Sequence, residues 1–301
     1  MDEFLMKPKI DFAFKEIMEN NGARTGFLAA VLKVNPKDIK ETQILNPYLR
    51  KMHEDDKLGI LDVRVLLNND TEIDTEIQLA EFAAWSARTL FYLSKMFAGQ
   101  IEKGQDYSLL KKCVSISILD FVLFKDEETG FYSCFHIRED SRNFLYTDKM
   151  EFHVIELPKL PEELKEEDSL LLWAKFINAE RKEEFDMLAE KSPYINSAYQ
   201  QLQVISQDKE KRLEYEAREK AVRDHNQMMK EARERGMQEG RREGMREGMQ
   251  EGRREGRREG RRESIIEVAE NFIKLGLETA EISMGTGLSE NEIEGLRKSL
   301  K

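Results

Sequence analysis

The chain is poor in cysteine, proline, tryptophan and histidine, and each scarcity narrows what it can be. Only Cys113 and Cys134 occur in 301 residues, without the CxxC spacing of a zinc or redox motif. Two such cysteines suit a reducing cytoplasm and argue against a disulfide scaffold or a structural zinc site. His53, His136, His153 and His225 are scattered, which disfavours a zinc enzyme or a histidine-based triad. No stretch approaches the roughly 18 apolar residues of a membrane span. The opening MDEFLMKPKID has no long apolar segment of the kind that marks a signal peptide. A cytoplasmic protein without a membrane partner is therefore expected. Basic excess is also missing, since Lys and Arg number 48 against 59 Asp and Glu, a net charge of −11. The acidic surplus lies in residues 1–229, and residues 230–301 are balanced. Constitutive nucleic-acid binders are usually basic. Any contact with nucleic acid must then be local, or must use metal ions to offset phosphate charge.

What is present is 40% hydrophobic and 36% charged residues, in a chain long enough for one sizeable core with appendages. Residues 1–160 read as a mixed α/β domain. Ile10, Phe14 and Ile17, then Phe27 and Val31, have helical spacing and predict helices over 9–20 and 24–33. Strand-like runs at 60–67 and 72–79 flank Asn68-Asn69-Asp70, a turn signal. A helix is expected over 81–100. The run CVSISILDFVLF at 113–124 reads as a central strand covered on both faces. Further strands are expected at 131–137 and 151–157. Residues 161–230 read as a helical extension on that core, with helices at 169–179 and 196–224. Trp85 and Trp173 are assigned to the core.

Residues 231–263 are repetitive. Gly236, Gly240, Gly244, Gly248, Gly252, Gly256 and Gly260 recur every four residues, each preceded by Glu or, at Gly236, by Arg. On a helix this spacing drifts by about 40° per repeat and makes a slowly winding glycine stripe. Each interior Gly costs about 1 kcal/mol relative to Ala. The Glu–Arg pairs three residues apart return only about 0.2–0.5 kcal/mol each. Three readings stay open: a fraying helix or linker, a helix–helix contact along the stripe and hence a homo-oligomer, or DNA contact through the arginines. Residues 264–301 form a small helical unit that resembles a helix-turn-helix. Ser289 and Glu292 make a capping pattern at its last helix. Glu290, Asn291 and Glu292 open that helix, so an interaction module is favoured over a DNA reader.

The strongest chemical signal is the hairpin GILDVRVLLNNDTEIDTEIQ, residues 59–78. Side chains alternate along a strand. Leu61, Val63 and Val65, with Ile73, Thr75 and Ile77, belong on the core side. Asp62 and Arg64, with Glu72, Asp74, Glu76 and Gln78, then share the outer face, where Asp74 is expected to be solvated. Asp62 and Glu76 repel unless a cation bridges them, and hard ions such as Mg²⁺ prefer oxygen ligands. A shared ion requires an even register, with position 62 opposite 76 or 78. On its own, a hairpin with a polar outer face is also what an ordinary half-exposed sheet looks like.

Asp62 followed by Glu76-Ile77-Gln78 resembles the PD-(D/E)XK nuclease core, and within it the recombination-promoting nuclease and transposase family. The likeness extends to Asp11-Phe12-Ala13-Phe14-Lys15, to Lys57 with Leu61-Asp62-Val63, and to Arg88, Tyr92, Gln100, Gly104 and Tyr107. The glycine-repeat tail is similar too. The resemblance implies a restriction-endonuclease-like α/β fold with a mixed central sheet and a long helical C-terminal extension. It implies hydrolysis of phosphodiester bonds in double-stranded DNA, linked to recombination or mobile elements. It implies Mg²⁺, with Mn²⁺ or Ca²⁺ as alternatives and no small-molecule cofactor. Asp62, Glu76 and the backbone carbonyl of Ile77 would hold the ion, with Glu16 as an extra ligand and Asp11 positioning it. Lys57 and Arg88 would touch DNA phosphate. Gln78 departs from the pattern, which has Lys there; Gln can orient water but carries no charge. The alternative is a catalytically degenerate nuclease fold that self-associates through its C-terminal helices.

Overall fold

The computed structural model describes residues 4–49, 59–81, 83–125, 130–164 and 168–300. Two compact units divide the chain, Met1–Asn226 and Gln227–Lys301. No helix among the described residues is long and apolar enough to cross a membrane.

The first unit opens with two helices, α1 (Asp11–Met18) and α2 (Asn21–Leu32). Asn20 separates them by capping α2, its side chain accepting from the Ala23 N–H at 3.0 Å. Short strands β1 (Thr42–Ile44), β2 (Tyr48–Leu49) and β3 (Gly59–Ile60) follow, then the hairpin β4 (Val63–Leu67) and β5 (Thr71–Gln78). Asn68 and Asn69 turn the hairpin at φ 49° and 58°, a left-handed pair that asparagine tolerates well. Helix α3 (Trp85–Ala98) crosses over to β6 (Lys112–Leu119), and β7 (Tyr132–Arg138) and β8 (Leu145–Glu156) complete the strands. The six-stranded sheet has the order β1-β4-β5-β6-β8-β7. Its middle, β5-β6-β8, is parallel, and both flanks are antiparallel. This is a mixed α/β architecture.

One face of the sheet carries the main core. Val63, Val65, Ile73, Ile77, Val114, Ile116 and Ile118 pack there against Phe14, Ile17, Phe27 and Trp173. Trp173 belongs to α4 (Ser169–Asn178), and α5 (Lys182–Lys191) and α6 (Pro193–Gln207) close over the same side. Gly26 lets α2 approach α6 so closely that a Cβ there would overlap the Tyr194 side chain. The other face is covered by α3. Leu61, Tyr92, Leu93, Met96 and Cys113 cluster on it, as do Trp85, Leu119 and Val154.

Three sequence expectations need correcting. Leu61 was expected beside Val63 and Val65, but it packs with the α3 cluster, because the chain bends at Asp62 before β4 begins. The strand expected over 113–124 stops at Leu119. The Asp120 N–H still bonds the Gln78 carbonyl, and the Leu123 and Phe124 N–H groups then turn to the Glu156 carboxylate at 2.7 and 3.1 Å. The helix expected over 196–224 is two helices. Asp208, extended at ψ 123°, ends α6, and its carboxylate caps α7 (Lys209–Lys274) by accepting from the Glu210 and Lys211 N–H groups.

The second unit holds the remainder of α7, then α8 (Thr279–Thr286) and α9 (Glu290–Ser299). Its core is Ala269, Ile282, Leu288 and Ile293. Gly276 at φ 85° breaks the chain after α7, and Ser289 with Glu292 forms a reciprocal capping box on α9. The glycine repeat is helical. A Cβ built on any glycine from Gly236 to Gly260 meets nothing within 4 Å.

Candidate active site

The hairpin register sets the site. Val63 pairs with Thr75 and Arg64 with Asp74, and Asp62, at the bend just before β4, lies close enough to Glu76 for the two charges to act on each other. Asp62 sits at the bend, its Oδ2 accepting from the Ile77 N–H at 3.4 Å. Its Oδ1 lies 3.5 Å from the Lys15 ammonium, brought in by α1. Glu76 Oε1 is 3.4 Å from Arg88 on α3. The Arg88 guanidinium lies 5.5 Å from the ring centres of both Trp85 and Tyr92, which hold its plane.

The outer face of β5 is not solvated. Glu72, Asp74 and Glu76 are only 6%, 4% and 5% exposed. The expectation of a solvated Asp74 is therefore wrong, because β5 is an interior strand and α3, Arg64 and Arg88 lie over this face. Arg64 is taken by Glu72 at 2.5 Å, and Asp74 Oδ1 is buried with no hydrogen-bond partner among the described residues. Burial pushes the Asp62, Asp74 and Glu76 carboxyls above their usual range, against the opposing charges of Lys15 at Asp62, Arg64 and Arg88 at Asp74, and Arg88 at Glu76. Asp74 is raised furthest, by burial first and by the Glu76 and Asp62 charges next.

Asp74→Asn is therefore expected to stabilise the metal-free protein at neutral pH, because the amide has no charge to bury or to repel Glu76 and Asp62. The folded state holds the Asp74 proton more tightly than the unfolded chain does. Stability is thus lost as pH rises from the ordinary carboxyl value of about 4 toward the raised folded value. Melting curves of both proteins over this range should show a gain that grows with pH. A gain independent of pH would refute the charge origin.

A cavity of about 310 Å³ opens beside these groups. Asp11, Asp62, Ile77, Gln78 and Arg88 line one side. Arg218, Val222, His225 and Asn226 of α7 line the other. Gln78 Nε2 donates to the Ala80 carbonyl at 3.1 Å, which orients its amide at the rim. Of the other residues singled out from the sequence, Glu16 is ion-paired with Lys211, and Lys57 lies outside the described residues. Sequence reasoning missed Lys15 as the partner of Asp62, and missed the α7 residues. The only signal for the latter was the helical spacing of Arg218, Val222 and His225 in a highly charged segment.

Asp62, Asp74 and Glu76 thus cluster where the hairpin meets the crossover helix α3. The chain belongs to the PD-(D/E)XK nuclease family transposases, whose family model spans residues 8–232. Membership suggests a nuclease- or transposase-like function. No curated protein and no solved structure matched the chain.

Proposed function

We propose that this protein is a divalent-metal-dependent DNA endonuclease of the PD-(D/E)XK type, acting on double-stranded DNA in recombination or in the traffic of mobile elements. The observation that carries the reading is charge imbalance. Asp62, Asp74 and Glu76 lie close together, and among the described residues Lys15 pairs with Asp62, Arg88 with Glu76, while Asp74 Oδ1 has no hydrogen-bond partner. Such a donor set fits a hard divalent cation better than it fits a bare salt-bridge network. Asp62 and Glu76 would hold the ion, with the Ile77 carbonyl as a third ligand. Mg²⁺ is the expected ion, and Mn²⁺ or Ca²⁺ would fit the same oxygens. When bound, it lowers the pKa of water and offsets charge on the reacting phosphate.

The remaining work falls to this chain. Gln78 orients the attacking water. Lys15 lies beside Asp62 and restores the positive charge that Gln78 lacks. Arg88 steadies Glu76 and presents its free edge to phosphate. In the assay that tests the reading, full-length protein nicks supercoiled plasmid with Mg²⁺ or Mn²⁺ and is silent after chelation with EDTA. Equal nicking with and without EDTA would exclude it.

A second reading rests on α7. Its glycines face open space, and an isolated helix so rich in glycine is marginal. A second copy packed along the stripe would supply the missing contacts, so the protein is proposed to act as a homo-oligomer. A catalytically silent, self-associating scaffold is the form this reading takes if plasmid stays intact under every metal.

A further inference from the structure

A second cluster of potential ligands lies on β7 and β8, among the main-core face and edge residues of the sheet rather than on the α3 face. The two strands pair antiparallel, with Cys134 opposite His153 and His136 opposite Glu151. Two alternate rungs of the ladder, with Phe135–Phe152 between them, thus carry a thiol, two imidazoles and a carboxylate on one face. The sequence hides this set, because Cys-x-His and Glu-x-His stand far apart along the chain and meet only by strand pairing.

Glu151 Oε1 is the hub. It lies 3.5 Å from Cys134 Sγ, 3.5 Å from His136 Nε2 and 3.0 Å from His153 Nε2. Cys134 Sγ is 3.9 Å from His136 Nδ1. One ligand atom each from Cys134, His136 and Glu151 falls within 4.8 Å of the others. Zinc bonds of about 2.0–2.3 Å in tetrahedral geometry separate ligand atoms by roughly 3.3–3.6 Å. The set is therefore close to ligating distance with the backbone as it stands.

Glu151 is also held from behind. His153 is 2% exposed, and its Nδ1 is 2.7 Å from the Tyr132 hydroxyl. His153 Nε2 lies 3.0 Å from Glu151 Oε1 but out of hydrogen-bond alignment, so the ring sets the carboxylate's position by close contact and by charge rather than by a formed hydrogen bond. Lys112 takes the other carboxylate oxygen. Cys134 is exposed and His136 half-buried, so a cation has a route in. A register shift follows His136, and such irregularities commonly re-aim side chains near sites.

We propose that Cys134 Sγ, the His136 imidazole and Glu151 Oε1 bind one zinc-class divalent cation, with water in the fourth position and with His153 and Lys112 positioning Glu151. Thiolate and imidazole select a borderline-soft ion, whereas the all-oxygen set around Asp62 suits a hard one. On binding, the Cys134 thiol gives its proton to solvent, and a bridge forms between edge strand β7 and its neighbour β8. This site is independent of the nuclease reading.

The experiment titrates the full-length, reduced protein with Co²⁺ as a spectroscopic probe and then with Zn²⁺. One sulfur-to-cobalt charge-transfer band is expected, abolished by one equivalent of Zn²⁺. Cys134→Ser should remove the band. His136→Ala should weaken binding at least about tenfold, and His153→Phe by about 10–100-fold, as loss of a supporting partner does. Asp62→Ala should leave the band intact. No band at saturating Co²⁺ overturns the proposal. So does a band that survives Cys134→Ser, since the thiolate would then belong to Cys113.

Discussion

Asp62→Ala and Glu76→Ala are each expected to reduce metal-dependent plasmid nicking by 100-fold or more, on the order of the several kcal/mol that a bound cation contributes to such a transition state. Each substitution removes one of two carboxylates whose charges act on each other at the end of the hairpin. Neither should unfold the chain. Asp62 and Glu76 both have raised carboxyl pKa values from burial, so removing a charge relieves a strain of the folded state. Equal or higher melting temperatures should therefore accompany the lost activity. Initial rates of supercoiled-plasmid loss, measured beside thermal melts, separate the two effects. A variant that melts normally and still nicks at the wild-type rate would place the chemistry elsewhere. Glu76→Gln adds a finer control, because it keeps the shape and one oxygen able to accept from Arg88 while removing the charge.

Arg24→Met is expected to lower the melting temperature of the first unit by roughly 10 °C, at about 2–4 °C per kcal/mol for a domain of this size. Arg24 is 6% exposed and ties three elements together. Its Nη1 donates to the Met18 carbonyl at 2.6 Å and to the Glu19 carbonyl at 3.2 Å, at the end of α1. Its Nη2 donates to the Thr42 carbonyl and to Asn21 Oδ1, both at 3.1 Å, and its Nε to Thr42 Oγ1 at 2.9 Å. Methionine fills similar volume but donates nothing. The Met18 and Thr42 carbonyls then lose a partner, at about 1–3 kcal/mol each. Because α1 also carries Asp11 and Lys15 to the site, nicking should fall even well below the melting point. An unchanged melting temperature would show that water replaces the guanidinium and that α1 is held by its apolar face alone.

Local pattern made some elements legible and left others hidden. The β4–β5 turn was readable because two consecutive asparagines adopt the left-handed conformation at little cost, and the turn in turn sets the register. The α9 capping box was readable for the same kind of reason, since its partners are three residues apart. The break at Asp208 was not, because nothing in a helical, charged stretch singles out one aspartate until its carboxylate is seen capping the next helix. Asp74 was misread because alternation tells which face a side chain takes and not whether another layer covers that face. Arg24, Lys15 and the α7 residues of the cavity were invisible as partners, since each acts across sequence separations that periodicity does not reach.

By itself the sequence determined the α/β class, the hairpin and its asparagine turn, because turn chemistry and strand alternation act between near neighbours. Only the tertiary structure decided that the polar face of β5 is buried, that Lys15 lies beside Asp62 and Arg88 beside Glu76, and that Cys134, His136 and Glu151 meet at the sheet edge. Burial and charge pairing depend on which elements stack, and stacking is a property of the whole first unit rather than of any segment within it.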